Sequence, residues 1–109
     1  MNEKQLEKVL KSLANKRRLL ILSFLKKKKE ATVGETAEGI KLSFKATSKH
    51  LGILFNSEIL EHEQRGPQIF YSISRDQPEP VKSILQILWL PNLIPLIRAN
   101  GRMMFGVLN

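Results

Sequence analysis

Residues 43–60 read SFKATSKHLGILFNSEIL, and the two sides of this stretch ask for different surroundings. Thr47, Leu51 and Leu54 recur at spacings of four and three, which puts them on one stripe of a helix and predicts a buried face. Phe44, Lys45, Ser48 and Lys49 fall on the other side. Ser43 stands where an N-cap belongs, its hydroxyl able to accept from an amide of the first turn, and the helix should continue to Asn56. Two cations, a hydroxyl and an aromatic ring on an outer face suit an anion. The rest of the chain decides which anion.

Immediately upstream, TVGETAEGI carries a capping box, because Thr32 can cap a helix while Glu35, three residues on, reaches back to the cap amide. That helix is expected over residues 33–40. Only Lys41 and Leu42 then separate it from Ser43, and two short helices joined so briefly have helix-turn-helix spacing. Further upstream, Leu6, Val9, Leu10 and Leu13 stand at i, i+3, i+4 and i+7 and predict a helix over residues 3–13 with Lys4, Lys8 and Lys11 on its solvent side. Asn15 is the expected cap of a second helix, whose stretch from Leu19 to Leu25 is apolar at all but Ser23 and so reads as the central helix. The cations Lys26 to Lys29 close it, favourably placed at the negative end of the helix dipole.

Downstream, ILEHEQ and QIFYSIS are strand-like, with Ile69, Tyr71 and Ile73 on one face and Arg65, Gly66 and Pro67 at a hairpin tip. A hairpin directly after such a helix is the wing of a winged helix. Pro78 and Pro80 break the chain, and VKSILQILWL restarts a helix with Val81, Ile84, Leu85, Leu88 and Trp89 at helical spacing. The reading is therefore mainly α with a small β-hairpin: a winged helix-turn-helix of four helices, two strands and a last helix. Residues 1–90 form the domain, and residues 91–109 are an apolar tail without a clean period.

Composition limits what this domain can do. Its 109 residues suit one domain, and 18 Lys and Arg against 10 Asp and Glu leave a net charge of +8 that attracts polyanions. Residues 1–60 hold 13 of those cations against six acids, so the charge is concentrated in the half that contains the helix-turn-helix. With no cysteine there is neither a disulfide nor a thiolate metal site. The N-terminal segment lacks the apolar core of a signal peptide, and the most apolar run, residues 84–97, is shorter than the ~20 residues of a membrane span and contains Pro91 and Pro95. No nucleophile, base and orienting group fall into a catalytic pattern, no phosphate loop is present, and no cofactor is expected. His50 and His62 have no partners at ligand spacing, so no metal site is expected either.

In order and spacing, LKSLANKRRLLILSFL, TVGETAEGIKLSFKATSKHLGIL and EQRGPQIFYSI resemble the ArsR-type winged-helix transcriptional regulators over residues 5–75. The resemblance implies that the helix opening at Ser43 enters the major groove of double-stranded DNA. Phe44, Lys45 and Ala46 would then lie at base edges, Ser48, Lys49 and His50 near the backbone, and Arg65 with Gln68 on a wing that reaches the flanking minor groove or phosphates. It also implies a homodimeric repressor on a palindromic operator, with an effector left open, and the missing signal and membrane segments make the expected location cytoplasmic. The dimer would use apolar faces exceeding one domain's need: Leu6, Leu10 and Leu13 at the start, and Ile84, Leu85, Leu88 and Trp89 near the end.

The departures from that pattern are informative. The stretches where metal-sensing members carry ligands read ATVGETAEG and VKSILQILWL. Lys41 and Glu58 replace glycines that usually supply a left-handed conformation, and Thr36 replaces an apolar residue. Gly52 and Phe55 stand where lysine or arginine is common. The competing expectation is a winged helix that binds protein through Ile53, Phe55 and the apolar tail.

Overall fold

Capping side chains set where the helices begin. The Asn2 side chain accepts from the Gln5 amide at 2.8 Å while Gln5 accepts from the Asn2 amide at 3.0 Å, and helix α1 runs Glu3–Leu13. Asn15 caps α2 (Lys16–Lys28) through the Arg18 amide at 3.0 Å. The Thr32 and Glu35 box opens α3 (Val33–Ile40), and Ser43 accepts from the Ala46 amide at 3.1 Å to open α4 (Phe44–Asn56). Strands β1 (Leu60–Arg65) and β2 (Gln68–Ile73) pair antiparallel, and α5 follows over Glu79–Leu88. The computed structural model describes residues 1–77 and 79–88; Pro78 and residues 89–109, which include the expected dimer contact Trp89 and the apolar tail, lie outside them.

The hairpin is one residue tighter at its tip than the sequence suggests. Arg65 pairs with Gln68, so Gly66 and Pro67 alone make the turn, with Gly66 at φ +61°, a conformation that side chains disfavour. A bridge between Ala31 and Tyr71, with amide-to-carbonyl distances of 3.0 and 2.8 Å, ties the wing to the α2–α3 connection. The last helix starts at Glu79, two residues before the expected Val81, because a proline is tolerated in a first helical turn, where its missing N–H has no intrahelical partner to lose.

Ile21, Leu22 and Leu25 of α2 sit at the centre of the core, packed with Leu51 and Leu54 of α4, Val9 and Leu13 of α1, and Val81 and Leu85 of α5. Each fully buried leucine or isoleucine contributes about 1.5–3 kcal/mol of transfer free energy. Thr36 occupies its apolar position by donating its hydroxyl back to the Thr32 carbonyl at 2.8 Å. Gly39 lets α3 approach α2 closely, for a Cβ there would lie 2.2 Å from the Phe24 ring.

The expected dimer stripes divide in a way the periodicity did not show. Leu13 (5% exposed) and Leu85 (3%) are turned into the protomer's own core. Leu10 is 43% exposed and lines a shallow apolar groove with Glu3, Leu6, Glu7, Lys11 and Ala14. On α5 Ile84 is half-buried against the core, while Ile87 is 58% exposed. Leu13 and Leu85 therefore belong to the core, and the exposed apolar side chains on these two helices are Leu10 and Ile87.

Candidate nucleic-acid interface

The three-residue connection between α3 and α4, Lys41 to Ser43, is closed by backbone geometry. Lys41 adopts φ +59° and ψ +52°, and its amide and that of Leu42 both bond the Ala37 carbonyl, the latter at 3.0 Å. Glu58 does the same after α4, at φ +64°. Both positions keep the left-handed conformation without the glycine that would adopt it freely.

Helix α4 is held from one side. Thr47, Leu51 and Leu54 are buried, and Ser57, just past its end, forms a buried hydroxyl pair with Ser12 of α1. The opposite side is open: Phe44 is 63% exposed, Lys45, Ser48 and Lys49 are exposed, and Ala46 and His50 are half-buried. No acidic residue occurs anywhere in α4, and no ion pair among the described residues engages Lys45 or Lys49. Their charge adds to the positive end of the helix dipole at Ser43, whose hydroxyl oxygen is already committed to the cap.

His50 is fixed by chemistry as well as packing. An arginine only donates, so the 3.1 Å contact between Arg18 Nη1 and His50 Nδ1 makes Nδ1 an acceptor and leaves the ring proton on Nε2. Burial first, then the charges of Arg18, Arg17 and Lys49, hold the imidazole pKa below its ordinary value and keep the ring neutral.

The wing presents a different situation. Arg65 donates to Glu30 at 2.6 and 2.8 Å and to Glu63 at 2.8 and 3.2 Å, with its guanidinium 4.5 Å from the centre of the Phe70 ring. Those hydrogen bonds raise the Arg65 pKa further above its ordinary value and hold Glu30 below the usual carboxylate range. In this structure the side chain expected to reach for DNA is folded back on two carboxylates that the sequence places 35 and two residues away. Gln68 opposite it is exposed. Phe55 and His62 stack with ring centres 4.2 Å apart, and Tyr71 meets His62 edge-on at 5.4 Å, so Phe55 braces the wing against α4.

Arg18 and Glu30 are the residues that the sequence reading missed. Arg18 stands within the quoted ANKRRLL stretch, but its partner His50 is 32 residues away and no local spacing announces the pair. Among the described residues no cluster of three His, Cys, Asp or Glu side chains could hold a metal ion, and no helix is long and apolar enough to cross a membrane.

Residues 15–62, from the α2 cap to the middle of β1, match the family model described as bacterial regulatory protein, arsR family. The transcriptional activator HlyU of Vibrio cholerae is 33% identical over 95 residues, spanning 81% of this chain and 84% of that protein. The chain belongs to the ArsR family. Solved structures agree. HlyU from Vibrio cholerae superposes with a TM-score of 0.66 at 31% identity, covering 81% of this chain and 94% of that one. NolR from Sinorhizobium fredii gives 0.66 at 34% identity, covering 78% and 81%. The homodimeric winged helix-turn-helix DNA-binding domain of Mb0332 from Mycobacterium bovis gives 0.66 at 28%, covering 78% and 75%. This ArsR-family chain is a DNA-binding transcriptional regulator with a winged helix-turn-helix fold.

Proposed function

We propose that the protein binds a palindromic duplex as a homodimer and reads it with the outer edge of α4. The observation that carries this reading is the uncompensated pair Lys45 and Lys49 on a helix whose opposite stripe is locked into the core. Phe44, Lys45 and Ala46 lie nearest the N-terminus of α4, where they meet base edges, Phe44 offering a surface for a thymine methyl. Ser43, Ser48, Lys49 and His50 serve phosphates, and Gln68 on the exposed wing serves the flanking backbone. Arg65 joins only after exchanging a carboxylate for a phosphate.

One such helix reads few base pairs, so discrimination needs a second copy about one helical turn, ~34 Å, away. The exposed apolar residues Leu10 on α1 and Ile87 on α5, with the half-buried Leu6 beside Leu10, are the surface for that contact. The homodimeric Mb0332 domain supports it. The protein acts in the cytoplasm by occupancy, without catalysis. HlyU bears the name of an activator, and the reading is therefore one of operator occupancy, with repression as its expected consequence. Selection of duplexes from a random pool tests it: an inverted repeat is expected, and recovery of no sequence at all would contradict it.

A further inference from the structure

All three side-chain nitrogens of Arg18 are engaged, and they face two different helices. Nε donates to the Ser12 carbonyl at 2.6 Å and Nη2 to the Lys11 carbonyl at 3.2 Å, both at the C-terminal end of α1, where a cation also meets the negative end of the helix dipole. Nη1 donates to Nδ1 of His50 on α4 at 3.1 Å. The side chain therefore spans from the helix with the exposed apolar face to the helix with the exposed cationic edge. A lysine, with a single ammonium and no planar fork, cannot hold the three acceptors in this arrangement.

We propose that Arg18 is a positioning residue for DNA binding: it fixes the His50 ring so that the Nε2–H is presented to a DNA phosphate, and it makes that donor depend on where α1 sits. The proposal rests on the reading of α4 as the DNA-facing helix. Its physical content is a matter of tautomer. A free imidazole in water exchanges its proton between the two nitrogens, but one whose Nδ1 accepts from a guanidinium has its only N–H on the far side of the ring. Among the described residues the charges that act on the ring are those of cations, Arg18 and Arg17 from α2 and Lys49 from α4, with Lys8 and Lys11 of α1 lining the same cleft as Arg18. Protonating Nδ1 would set donor against donor, so the Arg18 contact opposes a charged ring and favours a neutral, directed one. A displacement of α1, which carries the candidate dimer surface, would carry the Ser12 and Lys11 carbonyls with it and loosen the grip on His50.

The test combines ring-nitrogen NMR on the full chain with DNA affinity, using a duplex selected by the parent protein. In the parent, His50 is expected as the Nε2–H tautomer, and DNA affinity should be nearly flat from about pH 8 to about pH 6.5. In Arg18→Gln the tautomer preference should disappear and the ring should titrate closer to an ordinary histidine. Affinity should fall roughly tenfold near neutral pH and recover on acidification, as the released imidazole takes up a proton beside the phosphate. Arg18→Lys should resemble Arg18→Gln, and in a His50→Ala background neither change should weaken binding further. An Nδ1–H tautomer in the parent would overturn the proposal even if every Arg18 variant failed to fold. So would parental affinity and pH dependence in a folded Arg18→Gln, or an equal loss in the His50→Ala background. Lys49→Ala separates the two levels: if it weakens DNA while Arg18→Gln does not, only the positioning role falls, and if Lys49→Ala has no effect, the reading of α4 itself falls.

Discussion

Helix α4 and the wing both carry basic side chains, but they differ in what their charges already hold. Lys45 and Lys49 project from a helix without a single acid, whereas Arg65 is bonded to Glu30 and Glu63 and stacked on Phe70. A count of cations treats the three alike. For a phosphate they are unlike, because an unpaired lysine releases only water and counterions on contact, while Arg65 must first leave two carboxylates. Position on the fold nominates a DNA contact, and prior commitment of the side chain decides how much it adds.

The comparison breaks most completely if the second copy of the protein is removed. Changing Leu10 and Ile87 together to Glu places charges on the exposed apolar positions of α1 and α5 without touching the protomer's own core. If these positions meet a partner, dimerisation should weaken by several kcal/mol, roughly the cost of an unpaired charge in a dry contact. Sedimentation should show monomers with unchanged helical signal that no longer hold an inverted repeat. A double variant that remains dimeric would move the interface elsewhere.

Smaller effects sharpen the contrast within α4, between its locked stripe and its open edge. The Thr47 hydroxyl is buried and has no partner among the described residues. Thr47→Val should therefore raise stability by about 1 kcal/mol, the low end of the penalty for an unmade buried hydrogen bond. Gly52 has open space where a Cβ would go, and Gly52→Ala should stabilise by roughly 1 kcal/mol through helix propensity. At the left-handed residue before α4, Lys41→Gly should gain about 0.5–1 kcal/mol. Urea unfolding measures all three, and the duplexes preferred by each variant should match the parent's.

How much of this was legible follows from the range of each interaction. Asn15, Thr32 with Glu35, and Ser43 announced their helices because a cap acts within one turn, and α2, α3 and α4 start one residue after them. Lys41 and Glu58 were visible as missing glycines because a left-handed residue is a local demand. The division of Leu10 from Leu13, and of Ile87 from Leu85, was not legible, since a stripe gives the direction of a side chain from its own helix and not which neighbour arrives there. The partners of Arg18 on α4 and of Arg65 on the α2–α3 connection lie more than thirty residues away, beyond any local spacing. The site was readable as a helix face, but the availability of each side chain was not.

The wing can be altered from the partner's side. Glu30→Gln removes one of the two carboxylates that hold Arg65, so DNA binding should strengthen and its dependence on the logarithm of salt should steepen by up to ~0.9. Acid should do the same. The Glu30 pKa is depressed by its hydrogen bonds from Arg65, so the pairing persists above the ordinary carboxylate range and is lost as pH falls through the lowered value. An affinity indifferent to Glu30→Gln would mean that Arg65 stays on Glu63 or points away from the duplex.

The claim that α4 supplies the free charge and the wing does not is tested most directly by one set of salt titrations. Affinity for a single selected duplex is measured against salt concentration for the parent, Lys49→Ala and Arg65→Ala. Lys49→Ala should lower the slope by ~0.9, the signature of one lost phosphate contact, and weaken all duplexes about equally. Arg65→Ala should leave the slope within error of the parent, because its charge is already balanced by Glu30 and Glu63. The reverse pattern, a slope unchanged by Lys49→Ala and lowered by Arg65→Ala, would place the DNA contact on the wing and contradict the assignment of α4.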